Sequence, residues 1–148
     1  MMALTDRSFF QQAEEVSDWQ EAIALSAKPL LEAGYITEKY IEAMYETVKV
    51  FGDYIVLMPG FAMPHSAPSD EVKKTGFALL KLNKAVRFGE SEDSAATIIL
   101  PIACQNSDQH IEMMGMIAAV IGDEEKKEAM FKSESLDDLY ALFTELEA

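Results

Sequence analysis

The sequence predicts an α/β fold, a single domain in which helices flank a mixed central β-sheet. Apolar residues recur at helical spacing in the first third of the chain, whereas the middle holds three short apolar runs bounded by turn residues. Helical spacing returns in the last third. Helices that precede and follow one group of strands are typical of a layered α/β architecture. A chain of 148 residues without internal repeats or a low-complexity linker suggests one domain over residues 1–148.

A short strand and a long helix are expected first. Residues 8–15 predict an edge strand. Ser17 and Gln20 have the spacing of a capping box, and Gly34 suits the position just after a helix C-terminus. Pro29 lies inside this helical stretch, so we expect it to kink the helix or to restart it.

A second helix is expected between Thr37, as its N-cap, and Gly52, as its stop signal. Its apolar residues recur at helical spacing, which predicts one buried face. That face is expected to contain Ile41, Met44, Tyr45 and Val48.

Three strands are expected in the middle of the chain, at residues 54–58, 75–82 and 96–104. The first is a short apolar run ended by a Pro-Gly pair, which predicts a buried strand. The third contains Pro101, which suggests a bulge or an edge position because proline has no backbone N–H to donate.

Three helices are expected after the last strand. The first begins within the stretch "QNSDQH", with Ser107 or Asp108 as its N-cap, and continues through "IEMMGMIAAVIG". Two shorter helices begin after Asp123 and after Ser135. In the last of them Asp138 falls in the first turn, where a carboxylate interacts favourably with the helix dipole.

The composition narrows the range of partners. Apolar residues make up 49% of the chain, which indicates a globular protein. The 26 acidic residues outnumber the 12 basic ones and give a net charge of −14, so we expect neither nucleic acid nor an anionic membrane surface as a partner. A basic protein partner is favoured instead. A bound phosphate would need local hydrogen-bond donors to offset the negative field.

The chain has one cysteine, Cys104, which excludes an intramolecular disulfide and disfavours a thiolate metal site. The most apolar stretch, "AATIILPIAC", has about half the length of a membrane-spanning helix. The first residues, "MMALTDRSFFQQ", lack the basic region and apolar run of a signal peptide. We therefore expect a soluble, cytoplasmic protein without direct membrane insertion.

One of the two histidines lies in a loop rich in proline. His65 follows the first predicted strand within "PGFAMPHSAP", where Pro64 fixes its own φ angle and restricts that of Met63. This stiffness reduces the freedom of the backbone that carries the ring, so the ring can be aimed at a reactant. The alternative is an ordinary loop histidine.

The second histidine, His110, lies at the start of a predicted helix that follows a strand. Free backbone N–H groups in a first helical turn can bind an anion, and a histidine there could help to hold a phosphoryl group. The alternative is an exposed or half-buried helix residue. Because ligands of α/β folds gather near strand ends, His65 and His110 could both face one cleft.

Several kinds of chemistry fit these residues poorly. A metal-binding histidine pair would lack a clear third ligand, since neither Asp108 nor Glu112 completes a zinc motif. Ser66 has no G-x-S-x-G context, Cys104 ends an apolar strand, and no nucleotide-binding loop occurs. We expect neither a metal nor a cofactor. What remains is a histidine that is itself the nucleophile and accepts a phosphoryl group.

The stretch "PGFAMPHSAPSDEVKKTGFAL", with "AMPHS" at its centre, resembles the phosphorylation-site region of enzyme IIA components of the bacterial phosphoenolpyruvate-dependent sugar phosphotransferase system. The resemblance is to the mannitol/fructose class, and it is closest to the ascorbate-type branch of that class. It extends over nearly the whole chain, including "DWQEA" and "SDQHIEMMGMI". It implies the same fold, a mixed central sheet flanked by helices.

The resemblance also implies a mechanism. In it, His65 accepts a phosphoryl group from the phosphohistidine carrier HPr and passes it to a cysteine of the cognate enzyme IIB. His110 assists the phosphoryl group without carrying it. Thr75, Lys73 and Lys74 follow the motif and either border the site or, for the lysines, are ordinary surface residues. The transported substrate is expected to be ascorbate or a similar small acidic or pentose-derived sugar.

Three positions depart from the family pattern. Ser66 stands where a small residue, commonly glycine, usually follows the active histidine, and Phe61 is bulkier than is usual at its position. Mannitol-type relatives have a helix arginine near the site, and here Lys49 lies in the corresponding region. The missing arginine weakens a mannitol specificity and leaves the transfer role intact.

Two other functions stay open. A free-standing domain of this type could act as a phosphorylation-dependent regulator, although the sequence contains no helix-turn-helix segment. Alternatively, the histidine pair could form a non-catalytic metal-binding or anion-binding module, which metal analysis of the purified protein would distinguish from a carrier. The sequence does not predict an oligomeric state.

Overall fold

The centre of the molecule is a mixed β-sheet. The structure is a computed structural model and describes residues 4–144. Its strands are, in chain order, β1 (Phe10–Ala13), β2 (Val56–Met58), β3 (Gly60–Ala62), β4 (Gly76–Phe77), β5 (Leu79–Arg87), β6 (Ala95–Ile99) and β7 (Ile102–Ala103). Five of them form one sheet in the order β1-β5-β6-β3-β2, and β4 pairs with β7 separately. The pairs β1–β5 and β3–β6 are parallel, whereas β5–β6 and β2–β3 are antiparallel, so the predicted mixed sheet is confirmed.

Helices flank this sheet, as predicted. They are α1 (Trp19–Glu32), α2 (Glu38–Phe51), α3 (Ser107–Ile121), α4 (Glu124–Lys132) and α5 (Leu136–Thr144). Helix α1 packs against β5, β6 and α2, while α5 packs against β1, α3 and α4. Within residues 4–144, none of the helices combines the length and the apolar character that crossing a bilayer requires.

Helix α1 begins one residue later than the capping box of Ser17 and Gln20 predicted. Asp18 is the N-cap, and its carboxylate accepts a hydrogen bond of 2.8 Å from the backbone N–H of Glu21. The Glu21 carboxylate in turn accepts from the backbone N–H of Ser17, at 2.8 Å. A carboxylate pair at this spacing satisfies two free N–H groups at once, which explains why this register is adopted.

Pro29 lies inside α1, and the helix continues through it without restarting. Because proline has no N–H, the carbonyl of Leu25 loses its helical partner. The side-chain amide of Gln11 on β1 donates to that carbonyl at 2.7 Å. The partner lost inside the helix is therefore replaced by a side chain from the sheet.

Helix α2 has the predicted ends, with Thr37 as N-cap and Gly52 at a φ angle of +74° as C-cap. The Thr37 hydroxyl donates to the Glu71 carboxylate and makes no capping bond of its own. On the buried face Tyr40 replaces the predicted Tyr45, which is only half-buried; the buried residues are Tyr40, Ile41, Met44 and Val48.

The strand prediction for residues 54–58 needs a correction. Strand β2 begins at Val56, lies at the edge of the sheet and is only partly buried. The chain reverses at Pro59, and Gly60, with a φ angle of +96°, starts the more buried strand β3 beside β6. The bulky Phe61 is fully buried on β3, so it fills the core and does not narrow the site. The edge strand predicted for residues 8–15 is confirmed as β1.

The other two predicted strands are each divided. Residues 75–82 form β4 and β5, and β5 continues to Arg87. Residues 96–104 are divided at Pro101 into β6 and β7. The neighbours of this proline remain bonded, since Leu100 donates to Ala62 at 2.9 Å and Ile102 donates to Pro64 at 3.0 Å. The missing N–H of proline thus falls between two intact bonds, which tie this segment to the loop of His65.

Helix α3 is capped by Asn106, and neither Ser107 nor Asp108 is the N-cap. The Asn106 side chain accepts from the backbone N–H of Gln109 at 2.9 Å. Asp123 caps α4 as predicted. At the start of α5, the Ser135 hydroxyl accepts from the backbone N–H of Asp138 at 3.3 Å, so the predicted start and the acidic first turn are both observed.

Candidate active site

The loop that carries His65 is held by the main chain on both sides. The N–H of Met63 donates to the carbonyl of Ile55 at 2.8 Å, and the carbonyl of Pro64 accepts from Ile102 at 3.0 Å. Met63 and Pro64 are buried. The residues immediately before His65 are therefore anchored in the core, and the proline constraints predicted from the sequence act on an already bonded backbone.

A buried tyrosine anchors the residue after His65. The Tyr40 hydroxyl donates to the carbonyl of Ile102 at 2.9 Å and accepts from the backbone N–H of Ser66 at 3.1 Å. Burial raises the pKa of Tyr40 above its ordinary value, so the hydroxyl keeps its proton. The Ser66 hydroxyl lies 3.4 Å from that of Thr47 on α2. The serine at this position therefore contacts a helix that packs beside the loop.

One nitrogen of the His65 ring is held by the backbone. Nδ1 lies 2.7 Å from the carbonyl oxygen of Met63. Because a carbonyl oxygen can only accept, Nδ1 carries the proton and Nε2 keeps its lone pair. The hydroxyl of Tyr54 lies 3.3 Å from Nε2 and donates to it. The nitrogen that is not bonded to the backbone is thus the one that can act as a nucleophile.

The surroundings of His65 favour its neutral form. Burial lowers the pKa of His65 below the ordinary value of 6.5, the hydrogen bond to Met63 raises it, and the nearby His110 lowers it. The net direction is downward. An unprotonated imidazole at neutral pH is the state that nucleophilic attack requires.

The two histidines lie side by side. The ring centroids of His65 and His110 are 5.6 Å apart, with an angle of 45° between the ring planes. His110 lies in the first turn of α3, as predicted, and its backbone N–H donates to the carbonyl of Asn106 at 3.1 Å. The structure therefore brings together one ring from a loop and one ring from a helix N-terminus, where free N–H groups favour an anion.

Thr75 positions the segment that leads into α3. Its side chain is buried, and its hydroxyl accepts from the backbone N–H of Gln105 at 3.0 Å and donates to the side chain of Gln109. The Gln105 amide donates to the carbonyl of Lys73 at 2.7 Å. Thr75 thus acts on the start of the helix that carries His110.

The lysines named from the sequence each contact a group other than the two histidines. The ammonium group of Lys73 donates to the carbonyl of Asp70 at 2.7 Å. That of Lys74 lies 5.6 Å from the centroid of the Tyr35 ring. On α2, Lys49 is exposed and forms an ion pair of 3.3 Å with Glu46.

Cys104 is a buried free thiol. Burial raises the pKa of Cys104 to about 11, so the thiol stays protonated and unreactive. Nowhere in residues 4–144 do three or more His, Cys, Asp or Glu side chains gather in an arrangement that could hold a metal ion.

Exposed apolar side chains that the sequence did not predict lie in the segments that carry or contact the histidines. The Phe51 and Tyr54 rings lie 5.6 Å apart, and the Tyr54 and His65 rings lie 5.5 Å apart. Phe51 is 67% exposed, and Ile111, which follows His110 in the sequence, is 68% exposed. We call Phe51, Tyr54 and Ile111 the apolar rim. The available signal was the apolar end of α2, where Phe51 falls outside the predicted buried face.

Known proteins are similar to this chain over most of its length. A family model for the phosphoenolpyruvate-dependent sugar phosphotransferase system, EIIA 2, matches residues 3–146. The ascorbate-specific PTS system EIIA component of Escherichia coli is 33% identical over 124 residues, which cover 83% of this chain and 80% of that protein.

Solved structures give a similar result. The solution structure of the mannitol-specific cryptic phosphotransferase enzyme IIA CmtB from Escherichia coli matches with a TM-score of 0.87 and 30% identity, over 96% of each chain. The complex of enzyme IIAMTL and phosphorylated enzyme IIBMTL, also from Escherichia coli, contains a chain that matches with a TM-score of 0.79 and 25% identity, over 97% of this chain and 99% of that one.

Proposed function

The chain belongs to the EIIA 2 family of the phosphoenolpyruvate-dependent sugar phosphotransferase system, and from this premise we propose that it is a phosphohistidine carrier. In this role, His65 accepts a phosphoryl group from HPr and passes it to a cysteine of the cognate enzyme IIB. The observation that carries the proposal is the His65 ring itself, because its Nδ1–H is held by the carbonyl of Met63, its Nε2 keeps a lone pair, and the ring lies beside that of His110. We further propose that residues 1–148 form one such domain.

The transfer step follows from this geometry. The Nε2 lone pair of His65 attacks the phosphorus of the donor phosphohistidine, and the donor P–N bond breaks with its electron pair returning to the donor ring. The phosphorylated His65 ring becomes more positive, and the bond from Nδ1–H to the Met63 carbonyl, 2.7 Å long in the free protein, stabilises that charge. Attack by a thiolate of enzyme IIB then reverses the process at Nε2. No proton has to leave the ring in either direction.

His110 and the first turn of α3 are proposed to share the charge of the phosphoryl oxygens. Charge spread over three oxygens in such a transfer is stabilised mainly by donors placed in advance. Asn106 and Thr75 hold this helix start by hydrogen bonds, so the donors are ordered before the partner arrives. His110 therefore supports transfer and is not the carrier.

Two features of the surface support protein partners. The apolar rim is exposed, and its Tyr54 ring contacts the His65 ring. The net charge of −14 favours a basic partner such as a phosphoryl donor with a cationic face. The related IIAMTL chain occurs in a complex with phosphorylated enzyme IIBMTL, and we propose the corresponding kind of acceptor here. A carrier must release each partner quickly, so we expect a small interface.

The sugar is proposed to be ascorbate or a similar small acidic or pentose-derived sugar. The support is the similarity to the ascorbate-specific component of Escherichia coli. A carrier of this kind contacts HPr and enzyme IIB, so specificity enters through the choice of enzyme IIB. Phosphorylated protein offered to purified enzymes IIB of ascorbate, mannitol, fructose and galactitol systems should transfer fastest to the ascorbate type. Faster transfer to another type would overturn the sugar assignment and leave the carrier mechanism standing.

The carrier mechanism is tested by incubating the protein with phosphoenolpyruvate, enzyme I and HPr. We expect a mass increase of one acid-labile phosphoryl group in the wild type, no increase in His65→Ala, and labelling of His110→Ala with slower onward transfer to enzyme IIB. Full labelling of His65→Ala would refute the assignment of the carrier. An unchanged onward rate in His110→Ala would reduce His110 to a structural residue.

A further inference from the structure

Tyr54 contacts the nucleophilic nitrogen directly. Its hydroxyl oxygen lies 3.3 Å from Nε2 of His65, and the two rings meet edge to face with centroids 5.5 Å apart and an interplanar angle of 67°. The side chain is 44% exposed, so its hydroxyl borders the space that an incoming phosphoryl group must occupy. The motif around His65 contains no signal for this residue, because Tyr54 precedes it and lies in a different segment.

Backbone bonds and packing fix the position of Tyr54 relative to His65. Tyr54 lies in a short 3-10 turn, Asp53–Ile55, between α2 and β2. The next residue, Ile55, is fully buried, and its carbonyl accepts the Met63 N–H at 2.8 Å. The segments that carry Tyr54 and His65 are thus bonded to each other directly. The Phe51 ring, 5.6 Å away, supports the tyrosine ring from α2.

We propose that Tyr54 is a positioning residue for phosphoryl transfer, an inference that rests on the proposed function: its hydroxyl donates to Nε2 of free His65 and, after transfer, to an oxygen of the phosphoryl group. The P–N bond to Nε2 forms as the P–N bond of the donor breaks, and the lone pair that accepted the tyrosine hydrogen bond becomes the new bond. The tyrosine proton stays on its own oxygen and moves only from one acceptor to the other.

The exchange of acceptors favours the phosphorylated state. A hydrogen bond to a charged oxygen is stronger than one to a neutral imidazole nitrogen. Two lysines near this region already have other partners. Lys49 forms an ion pair with Glu46, and the ammonium group of Lys73 donates to the backbone carbonyl of Asp70. Burial raises the pKa of Tyr54, so its hydroxyl remains a donor over the whole physiological range.

Tyr54→Phe tests the hydrogen bond in the unphosphorylated protein. The variant keeps the ring and its packing, so the fold is expected to be unchanged. In 15N NMR spectra of the imidazoles, we expect the Nε2 signal of His65 to move downfield and the pKa of His65 to rise, because the neutral form loses a donor. Tyr45→Phe, which alters a ring packed on Trp19, is the matched control and should change neither. Unchanged His65 signals in Tyr54→Phe would overturn the proposal.

Rates of phosphoryl transfer test the second acceptor. With HPr as donor, Tyr54→Phe should take up the phosphoryl group roughly five- to tenfold more slowly than the wild type, the difference expected between a charged and a neutral hydrogen bond. Tyr45→Phe should match the wild type. Equal rates for Tyr54→Phe and wild type would overturn the proposal for Tyr54 alone. A wild type that takes up no phosphoryl group would instead overturn the proposed function, while the NMR experiment would still report the hydrogen bond.

Discussion

The two histidines of the site are held in place in different ways. The His65 loop is fixed by main-chain bonds and by the buried hydroxyl of Tyr40, all of them tied to core segments. The start of α3, which carries His110, is fixed by side chains, above all by Thr75 and Asn106. The residue proposed to carry the phosphoryl group is therefore tied to the stability of the whole domain, whereas its helper depends on a local polar network that can change without unfolding the core.

The largest effect on stability is expected from removing the hydroxyl of Tyr40. Tyr40→Phe keeps the packing of the ring but leaves the carbonyl of Ile102 and the N–H of Ser66 without their partner. We expect a loss of about 1–3 kcal/mol in the free energy of unfolding, the cost of unsatisfied buried polar groups, together with slower phosphoryl uptake. Urea titration and a labelling time course measure the two quantities. A loss no greater than that of Tyr45→Phe would show that the loop does not depend on this hydroxyl.

A smaller effect, confined to the other half of the site, is expected from Thr75→Val. The variant keeps the shape of the side chain and removes its bonds to Gln105 and Gln109. We expect a loss of about 1 kcal/mol in the free energy of unfolding, with NMR signals of His110 moving more than those of His65. The reverse pattern of shifts would contradict the division of the site into two separately held halves.

The pH dependence of stability isolates the His65 half. Its folded-state pKa lies below the ordinary value of 6.5, so the unfolded chain binds the proton first as the pH falls. The stability contributed by the neutral ring is present above pH 6.5 and is lost as the pH falls towards the folded-state pKa. We expect His65→Gln to flatten the curve of unfolding free energy against pH in this window. An equally steep curve in that variant would assign the dependence to other groups.

The smallest effect is expected from added salt, which changes the rate of association with a partner. It leaves the His65 loop and the start of α3 unchanged. The net charge of −14 should speed association with a basic donor. Screening over about 8 Å at physiological ionic strength reduces this steering. Phosphoryl transfer from HPr should therefore slow as sodium chloride is raised, in stopped-flow or quench measurements at low protein concentration. A rate that is indifferent to salt would mean that the apolar rim alone governs docking.

Some residues of the candidate site could be predicted from local sequence patterns, and others could not. The stiff loop of His65 and the helix start of His110 were both identified from the sequence, and so was Thr75 as a neighbour of the motif. Tyr54 and Tyr40 were not, because each lies in a segment separated from the loop and meets it only through folding. A tyrosine on an amphipathic helix, such as Tyr40, looks like any other core residue until the acceptor of its hydroxyl is known.

The sequence by itself determined the α/β class, the placement of a group of strands between two groups of helices, and the ends of α2, because these depend on the spacing of apolar residues and on nearby Gly, Pro and capping side chains. Only the tertiary structure decided that β3, and not β2, is the buried strand, since an apolar run has the same pattern in both positions. It likewise decided which nitrogen of His65 is free, because that choice depends on where the Met63 carbonyl points. The spacing of residues along a chain predicts its helices and strands, whereas hydrogen-bond partners depend on how segments distant in sequence pack together.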